Sequence, residues 1–426
     1  MRRPLLVVFC VVLMLSFFVT NTDKENEVVS DEFVTVSGLV SNRVEKEKYV
    51  QFDVDGCLVK DYSKKLSVRA GDVVSVKGKF KHYTSLKFED FDYGRYLKSN
   101  GYEGVLDVKS YENVGSNLFY SKVFTFKDKI SKTMNYLYKD KSEFINSILI
   151  GEKEGIDKNQ KEIFSKTGVS HVLALSGLHV SILITIIGYS VGGINNFYKL
   201  ILVGAILWIY SIMVGQSPSI VRAIVCSLIA YLAVFVQEKV DGISSLSFIG
   251  SILVISNPYI IYNVSFQLSF LATLSIIYFY GYINERIKFK LIALTISANI
   301  LTVPLVCYHF GNISFIAVIS NVVVVPFLSI IIYISILSVI ILPVSLTISK
   351  IMVIINTLII DIINRSLEFL YNLRFSFVEV EKTNVKFIII YYIVVGIYMI
   401  YKEIKTIKEQ KNGLQGYHQK YEKQRI

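Results

Sequence analysis

Thr167-Gly168-Val169-Ser170-His171-Val172-Leu173-Ala174-Leu175-Ser176-Gly177-Leu178-His179-Val180-Ser181 leads into a long apolar run, yet it carries two histidines and four hydroxyl residues. Lipid cannot solvate polar groups, so such side chains face a protein interior or an aqueous path. A span that opens this way reads as the lining of something rather than as a plain anchor. His171 and His179 lie eight residues apart, so a continuous helix from 171 puts them roughly on one face, about two turns apart. They are then too distant to share a metal by themselves. Lining a path and hydrogen bonding to a neighbouring helix both fit them. Ser176-Gly177 reads as a helix break, or as a small-residue contact that lets another helix come close.

Working outward, the 426-residue chain is 53% apolar with a mean hydropathy of +0.50. The excess is uneven. Most of residues 171–401 is apolar runs with short polar breaks, whereas 21–170 reads as soluble or interfacial. Ten segments qualify as membrane spans, at 4–20, 171–192, 197–214, 219–236, 243–256, 264–281, 289–308, 314–342, 346–370 and 386–402. The fold class expected is therefore a polytopic α-helical membrane protein with a small extracytoplasmic β-barrel. The span at 243–256 is short and 314–342 carries Pro326. Both suit discontinuous helices around a path, and equally ordinary mismatch and kinking. Residues 1–20 read as an N-terminal anchor, with a cleaved signal peptide as the alternative.

Basic residues set the orientation. Arg2 and Arg3 place the N-terminus in the cytoplasm and the insert outside. Arg286, Lys288, Lys290, Lys350 and the basic tail 403–426 then fall inside, so both termini are cytoplasmic. The net charge is +11, and the basic tail within it reports orientation rather than DNA binding.

The insert divides in two. Residues 30–112 contain short alternating strands, as in 33–40, 49–54, 72–79 and 105–108, and suggest an OB-like barrel. A local basic stretch, 60–87, interleaves lysines with aromatics. Lys64, Lys65, Lys79, Lys81 and Tyr83 are its DNA-binding candidates; a solvated strand face explains the pattern as well. Residues 118–168 form amphipathic helices that fit either the membrane interface or packing on the bundle. Residues 169–402 form the channel-type membrane domain.

Inside that domain Ser217, Arg222, Gln267 and Asn299 join His171, Ser176, Gly177 and His179 as channel-lining candidates. Arg222 is the most costly, at about 2.5–3.5 kcal/mol on insertion scales, so it needs a partner or a wet path unless it snorkels outward. The four cysteines form no metal pattern, there is no phosphate-binding glycine loop, and Asp361 is the only acid well inside a span. No enzyme activity, metal or cofactor is expected.

Three motifs carry a family resemblance. Gly151-Glu152-Lys153-Glu154-Gly155 with Phe164 and the 167–180 stretch, then Ser217-Pro218-Ser219-Ile220-Val221-Arg222-Ala223, then Asn257-Pro258 with Ser265-Phe266-Gln267-Leu268-Ser269-Phe270, resemble the ComEC-type competence protein family in the family's order. Phe91-Asp92-Tyr93 with Tyr96 resembles the end of its external domain. The resemblance implies an inner-membrane channel that passes single-stranded DNA into the cytoplasm during natural transformation. It implies work alongside a separate DNA receptor, a translocase ATPase and a nuclease, and it leaves homodimerisation open. The chain is expected to be a short form without the metallo-β-lactamase-like domain of longer members. The alternatives are a secondary transporter or channel for another solute, and a membrane enzyme built on His171 or His179.

Overall fold

The computed structural model describes residues 3–22, 32–64, 66–88, 92–190, 192, 196–235, 241–380, 384–402 and 404. Lys65, Phe91, Arg2 and most of the basic tail lie outside them. The chain forms two compact units, Met1–Phe270 with Ser314–Ser376, and Leu271–Ile313 with Phe377–Ile426.

In the first unit, helix α1 (Pro4–Thr22) precedes a closed barrel of β1 (Phe33–Glu45), β2 (Val50–Val54), β3 (Cys57–Asp61), β4 (Asp72–His82) and β5 (Gly104–Ser116), in the order β1-β2-β3-β5-β4. Only the β3–β5 pair is parallel. The alternation seen in the sequence supplies the core: Val40, Phe52, Val54, Val59, Val74, Val76 and Leu106 are fully buried. β3 escapes the alternation pattern because its residues are buried on both faces. Asp55 and Gly56, both with positive φ, turn β2 into β3, the geometry that favours Asp-Gly in tight hairpins. At Gly78 the strands pass so close that a Cβ would stand 2.2 Å from the Asp107 carbonyl oxygen. Helix α2 (Tyr93–Ser99) bridges β4 and β5, capped by Asp92, which accepts from the Arg95 amide at 2.9 Å.

Helices α3 (Leu118–Tyr138), α4 (Ser142–Ile150), α5 (Lys158–Lys166) and α6 (Ser170–Leu173) follow. Then come α7 (Gly177–Ser190), α8 (Asn196–Val214), α9 (Pro218–Phe235), α10 (Gly242–Ser256), α11 (Val264–Arg286), α12 (Lys290–Phe310), α13 (Ala317–Ile341) and α14 (Leu346–Tyr371). One face of α3 packs on the bundle, while Leu118, Phe126 and Tyr136 stay exposed. Its Met134, Leu137 and Tyr138 are buried in one core with Val324, Leu328 and Ile331 of α13 and Ile360 and Ile363 of α14. A polar knot fixes the arrangement. The buried Asn356 amide reaches Tyr138 Oη (3.0 Å), Ser335 Oγ (2.9 Å) and the Ile331 carbonyl (3.2 Å). Asp361 is not alone in its span either, since Lys141 Nζ lies 2.5 Å from its carboxylate.

α1 shows how the two ends of this unit are tied. Arg3 Nε is 3.3 Å from Asp241 at the start of α10, and near the other end Ser16 donates to the Pro258 carbonyl at 2.6 Å. Pro258–Tyr262 is a 3-10 helix that also holds the barrel. Asn257 donates to the Lys98 carbonyl (2.9 Å), Asn263 donates to Asn100 (3.1 Å), and Arg95 covers the Tyr262 ring at 5.0 Å. The barrel therefore sits at the end of the bundle where α11 begins.

In the second unit α12 contains Pro304. Proline has no N–H, so the carbonyl of Ile300, four residues earlier, loses its helical donor. Tyr391 Oη supplies one at 2.6 Å, from helix α15 (Val385–Lys402), and the neighbouring Tyr392 donates to the Leu301 carbonyl at 2.7 Å. Strands β6 (Asn312–Ser314) and β7 (Phe377–Glu379) pair as a two-stranded sheet.

Among the described residues, seven helices are long and apolar enough to cross a membrane: α1, α8, α11, α12, α13, α14 and α15. The expected spans at 171–192, 219–236 and 243–256 contain shorter apolar helices, Gly177–Gly188, Pro218–Leu232 and Gly242–Ser256. Pro326 does not interrupt its span, because α13 is continuous through it. The first of the short helices corrects one expectation. His171 and His179 do not share a helix face: α6 ends at Leu173, Ala174 is extended (ψ 131°), and α7 starts afresh at Gly177. Ser176-Gly177 is a helix break, and Gly177 also lies near Ala223 of α9.

Candidate functional site

The break is built by Ser176 and His179. Ser176 precedes the first residue of α7, and its backbone N–H donates to His179 Nδ1 at 3.1 Å; its Oγ lies 3.0 Å from the same nitrogen. This is the reciprocal half of a capping box, with imidazole in place of the usual Glu or Gln at the third helical position. A backbone N–H can only donate, so Nδ1 is the acceptor and the neutral ring carries its proton on Nε2. That nitrogen is buried without a hydrogen-bond partner among the described residues, and His179 is 2% exposed. His171 differs: it is exposed, in the short α6 ahead of the break.

α7 starts against α9. Gly177 faces Ala223, whose Cβ would lie 3.6 Å from a Cβ placed on the glycine. One residue earlier, Arg222 is half-buried and donates from Nε to Ser269 Oγ of α11 at 2.6 Å; Ser219 Oγ lies 3.5 Å from the same hydroxyl. α9 is capped by Ser217 Oγ, which accepts from the Ile220 amide at 3.4 Å. α11 is capped by Asn263, which accepts from the Phe266 amide at 3.1 Å, and Gln267 ties it to the Ile261 carbonyl at 2.7 Å. Three helix N-termini, each with its positive dipole end, thus meet around one arginine. This is also the barrel end of the bundle, since a Cβ on Gly215, just before α9, would stand 3.4 Å from Asn42 of β1.

Ser176, Gly177, His179, Ser217, Arg222 and Gln267 therefore converge. Asn299 lies on α12 in the second unit, half-buried. Lys153 stands in the first of the quoted motifs but is not among the site candidates. It lies in the turn after Gly151, where a Cβ would stand 2.9 Å from Leu175 Cδ1. Its side chain is exposed, and desolvation pushes its ammonium below the ordinary lysine range.

The barrel candidates are dispersed. Lys64 donates to the Glu47 carbonyl at 2.7 Å, Lys81 pairs with Asp107 at 2.8 Å, and Lys79 is half-buried on β4. Tyr83 faces the bundle, 3.4 Å from Tyr259 Oη and under Lys98, whose ammonium is 4.9 Å from the ring. A different set forms a continuous aromatic and cationic face. Tyr49 and Tyr62 have ring centroids 5.3 Å apart, Tyr93 and Tyr96 stack at 5.9 Å, and Lys60 lies 5.4 Å from the Tyr49 ring and 5.8 Å from the Tyr93 ring. Lys46 adds a second cation at 5.4 Å from Tyr49. Burial raises the Tyr62 and Tyr93 phenols, which keeps the rings neutral. Lys60 and Tyr62 belong to the basic, aromatic stretch that stood out in the sequence, and Tyr93 and Tyr96 are three apart on a helix; Lys46 and Tyr49 carried no such signal.

Fold and cluster together define a multi-pass helical membrane protein that holds a five-stranded barrel over a cationic, hydroxyl-rich helix junction. The sequence model of the competence protein family matches residues 148–405, and the chain belongs to that family. It is 30% identical over 244 residues to ComE operon protein 3 of Bacillus subtilis (strain 168), covering 56% of this chain and 31% of that one. It is 22% identical over 269 residues to Recombination protein 2 of Haemophilus influenzae, covering 57% and 33%. An uncharacterised protein of Aquifex aeolicus is 27% identical over 197 residues, covering 45% and 46%. The matches span about a third to a half of these relatives' lengths.

Proposed function

We propose that the chain forms a membrane route for single-stranded DNA in natural transformation, as a channel rather than an enzyme. In this reading the barrel is an OB-type domain on the outer side, both termini are cytoplasmic, and the shorter helices join the seven long ones to make ten crossings. The observation that carries it is the meeting of the α7, α9 and α11 N-termini around Arg222, beneath the barrel. Anionic backbones are drawn to such a junction, and its donors are hydroxyls and amides that read no base sequence. The Tyr49, Tyr62, Tyr93 and Tyr96 face with Lys46 and Lys60 supports the same cargo. Bases of any identity stack on rings while cations follow the phosphates. A DNA receptor, a translocase ATPase and a nuclease act with it as separate proteins.

Deletion of the gene in a competent host tests this. Labelled DNA is expected to bind the surface as before and to stop entering the cytoplasm, with entry restored by the full chain. Unchanged transformation in the deletion strain overturns the reading. Loss of uptake of a small solute with normal DNA entry favours a solute transporter instead.

A further inference from the structure

A groove of about 350 Å³ runs between α13 and α14, lined by Ile319 and Val323 of the first and by Arg365, Ser366, Phe369 and Leu370 of the second. Two candidate membrane spans bound it, so hydrocarbon is its ordinary neighbour. Ile319 is 54% exposed and Phe369 68%, as suits side chains that face lipid. Arg365 does not suit that neighbour. It is exposed and has no ion pair or hydrogen bond among the described residues. The Ser366 hydroxyl donates to the Ile362 carbonyl at 2.7 Å, which leaves the guanidinium as the groove's side-chain donor for an anion.

Helix length sets the depth of this cation. α14 has 26 residues, about 39 Å of helix against about 30 Å of hydrocarbon. If centred, it overhangs by about 4–5 Å at each end. Arg365 stands six residues before the last residue of α14, Tyr371, or about 9 Å along the axis. Its Cα then lies about 4–5 Å inside the boundary, and its long side chain reaches the phosphate layer. A cation at the edge of the hydrocarbon is costly alone and favourable against an anion. α13 begins at the same end. Ile319 is its third residue, and the helix opens at Ile316 without a side-chain cap, so its positive dipole end lies at the mouth of the groove. We propose that the groove binds an anionic phospholipid, with the phosphate between the Arg365 guanidinium and the start of α13 and an acyl chain along Ile319, Val323 and Phe369. The guanidinium fork matches two phosphate oxygens. A zwitterionic head brings the same phosphate with an ammonium beside it, so the preference for an anionic head follows from net charge. The site requires α13 and α14 to cross a membrane and is independent of the cargo.

Native mass spectrometry reads the preference. The full chain in detergent is incubated with equimolar phosphatidylglycerol and phosphatidylcholine of matched acyl chains, then released from the micelle. Phosphatidylglycerol adducts are expected to dominate, and Arg365→Gln to cut their retention by about fivefold. Arg365→Lys should fall between. Lys350→Gln removes the same charge at the other end of α14 and should leave the preference unchanged. Val323→Phe fills the groove beside an intact Arg365 and should lower retention as well. Equal retention of the two lipids, or a fall in Lys350→Gln as large as in Arg365→Gln, overturns the site. A normal preference in Val323→Phe leaves only a surface arginine and overturns the groove. Dimer peaks without lipid that vanish in Arg365→Gln give this face to a second copy of the chain and overturn it too.

Discussion

Arg222→Ala separates a working arginine from a structural one. Arg222 lies about a turn into α9, half-buried, with Nε 2.6 Å from Ser269 Oγ. A hydrogen bond from a charged donor contributes about 1.5–3 kcal/mol. Holding a cation inside the apolar zone costs about 2.5–3.5 kcal/mol on insertion scales. Deleting the side chain removes both, so they offset to within about 1 kcal/mol and the fold should hardly notice. DNA entry should notice, because the arginine at the junction of three helix N-termini is gone; a fall of about tenfold or more follows from losing one charge-assisted phosphate contact. Arg222→Lys keeps the charge but not the guanidinium fork, and should fall between. Thermal unfolding of the purified variants in detergent, beside uptake of labelled DNA in the complemented deletion strain, reads both quantities. A stable and fully active Arg222→Ala refutes the reasoning and makes the residue a snorkelling side chain. A variant that unfolds easily makes it structural.

Two barrel predictions follow from geometry. Burial raises the Asp53 carboxyl above its ordinary value, against hydrogen bonds from Asn42 (2.7 Å) and Tyr102 (2.8 Å), and one carboxylate oxygen has no partner among the described residues. A raised folded-state value means that its stabilising contribution is full below about pH 4 and is lost as pH rises through the folded value. Hydrogen exchange of β1 and β2 amides across that range should show the loss in the parent and a flat profile in Asp53→Asn. Gly78→Ala should open the β4–β5 pairing, since its Cβ would meet the Asp107 carbonyl oxygen at 2.2 Å; a cost of about 1–3 kcal/mol or more is expected as lost exchange protection in both strands.

The sequence carried the parts whose signal is local. Val34, Val36, Val74 and Val76 alternate with polar residues and their strands appear where the alternation lies, whereas Cys57–Asp61 is buried on both faces and has no such rhythm. The α6–α7 break was legible only as one of two options, because the residue that closes the capping box is His179 rather than the Glu or Gln of the usual pattern. Arg222 and Gln267 stood out because polar groups in apolar runs are conspicuous. Tyr138 with Asn356, and Lys141 with Asp361, are more than two hundred residues apart, and only the tertiary fold brings them together.

Site-specific photo-crosslinking during uptake tests the route most directly. Ser265 is exposed at the start of α11 beside the junction, and Ile355 is 48% exposed on α14, away from it. A photoreactive residue at 265 is expected to capture the labelled incoming strand, and one at 355 is not. Capture from neither position, or from both equally while DNA enters normally, contradicts a route through the α7, α9 and α11 junction.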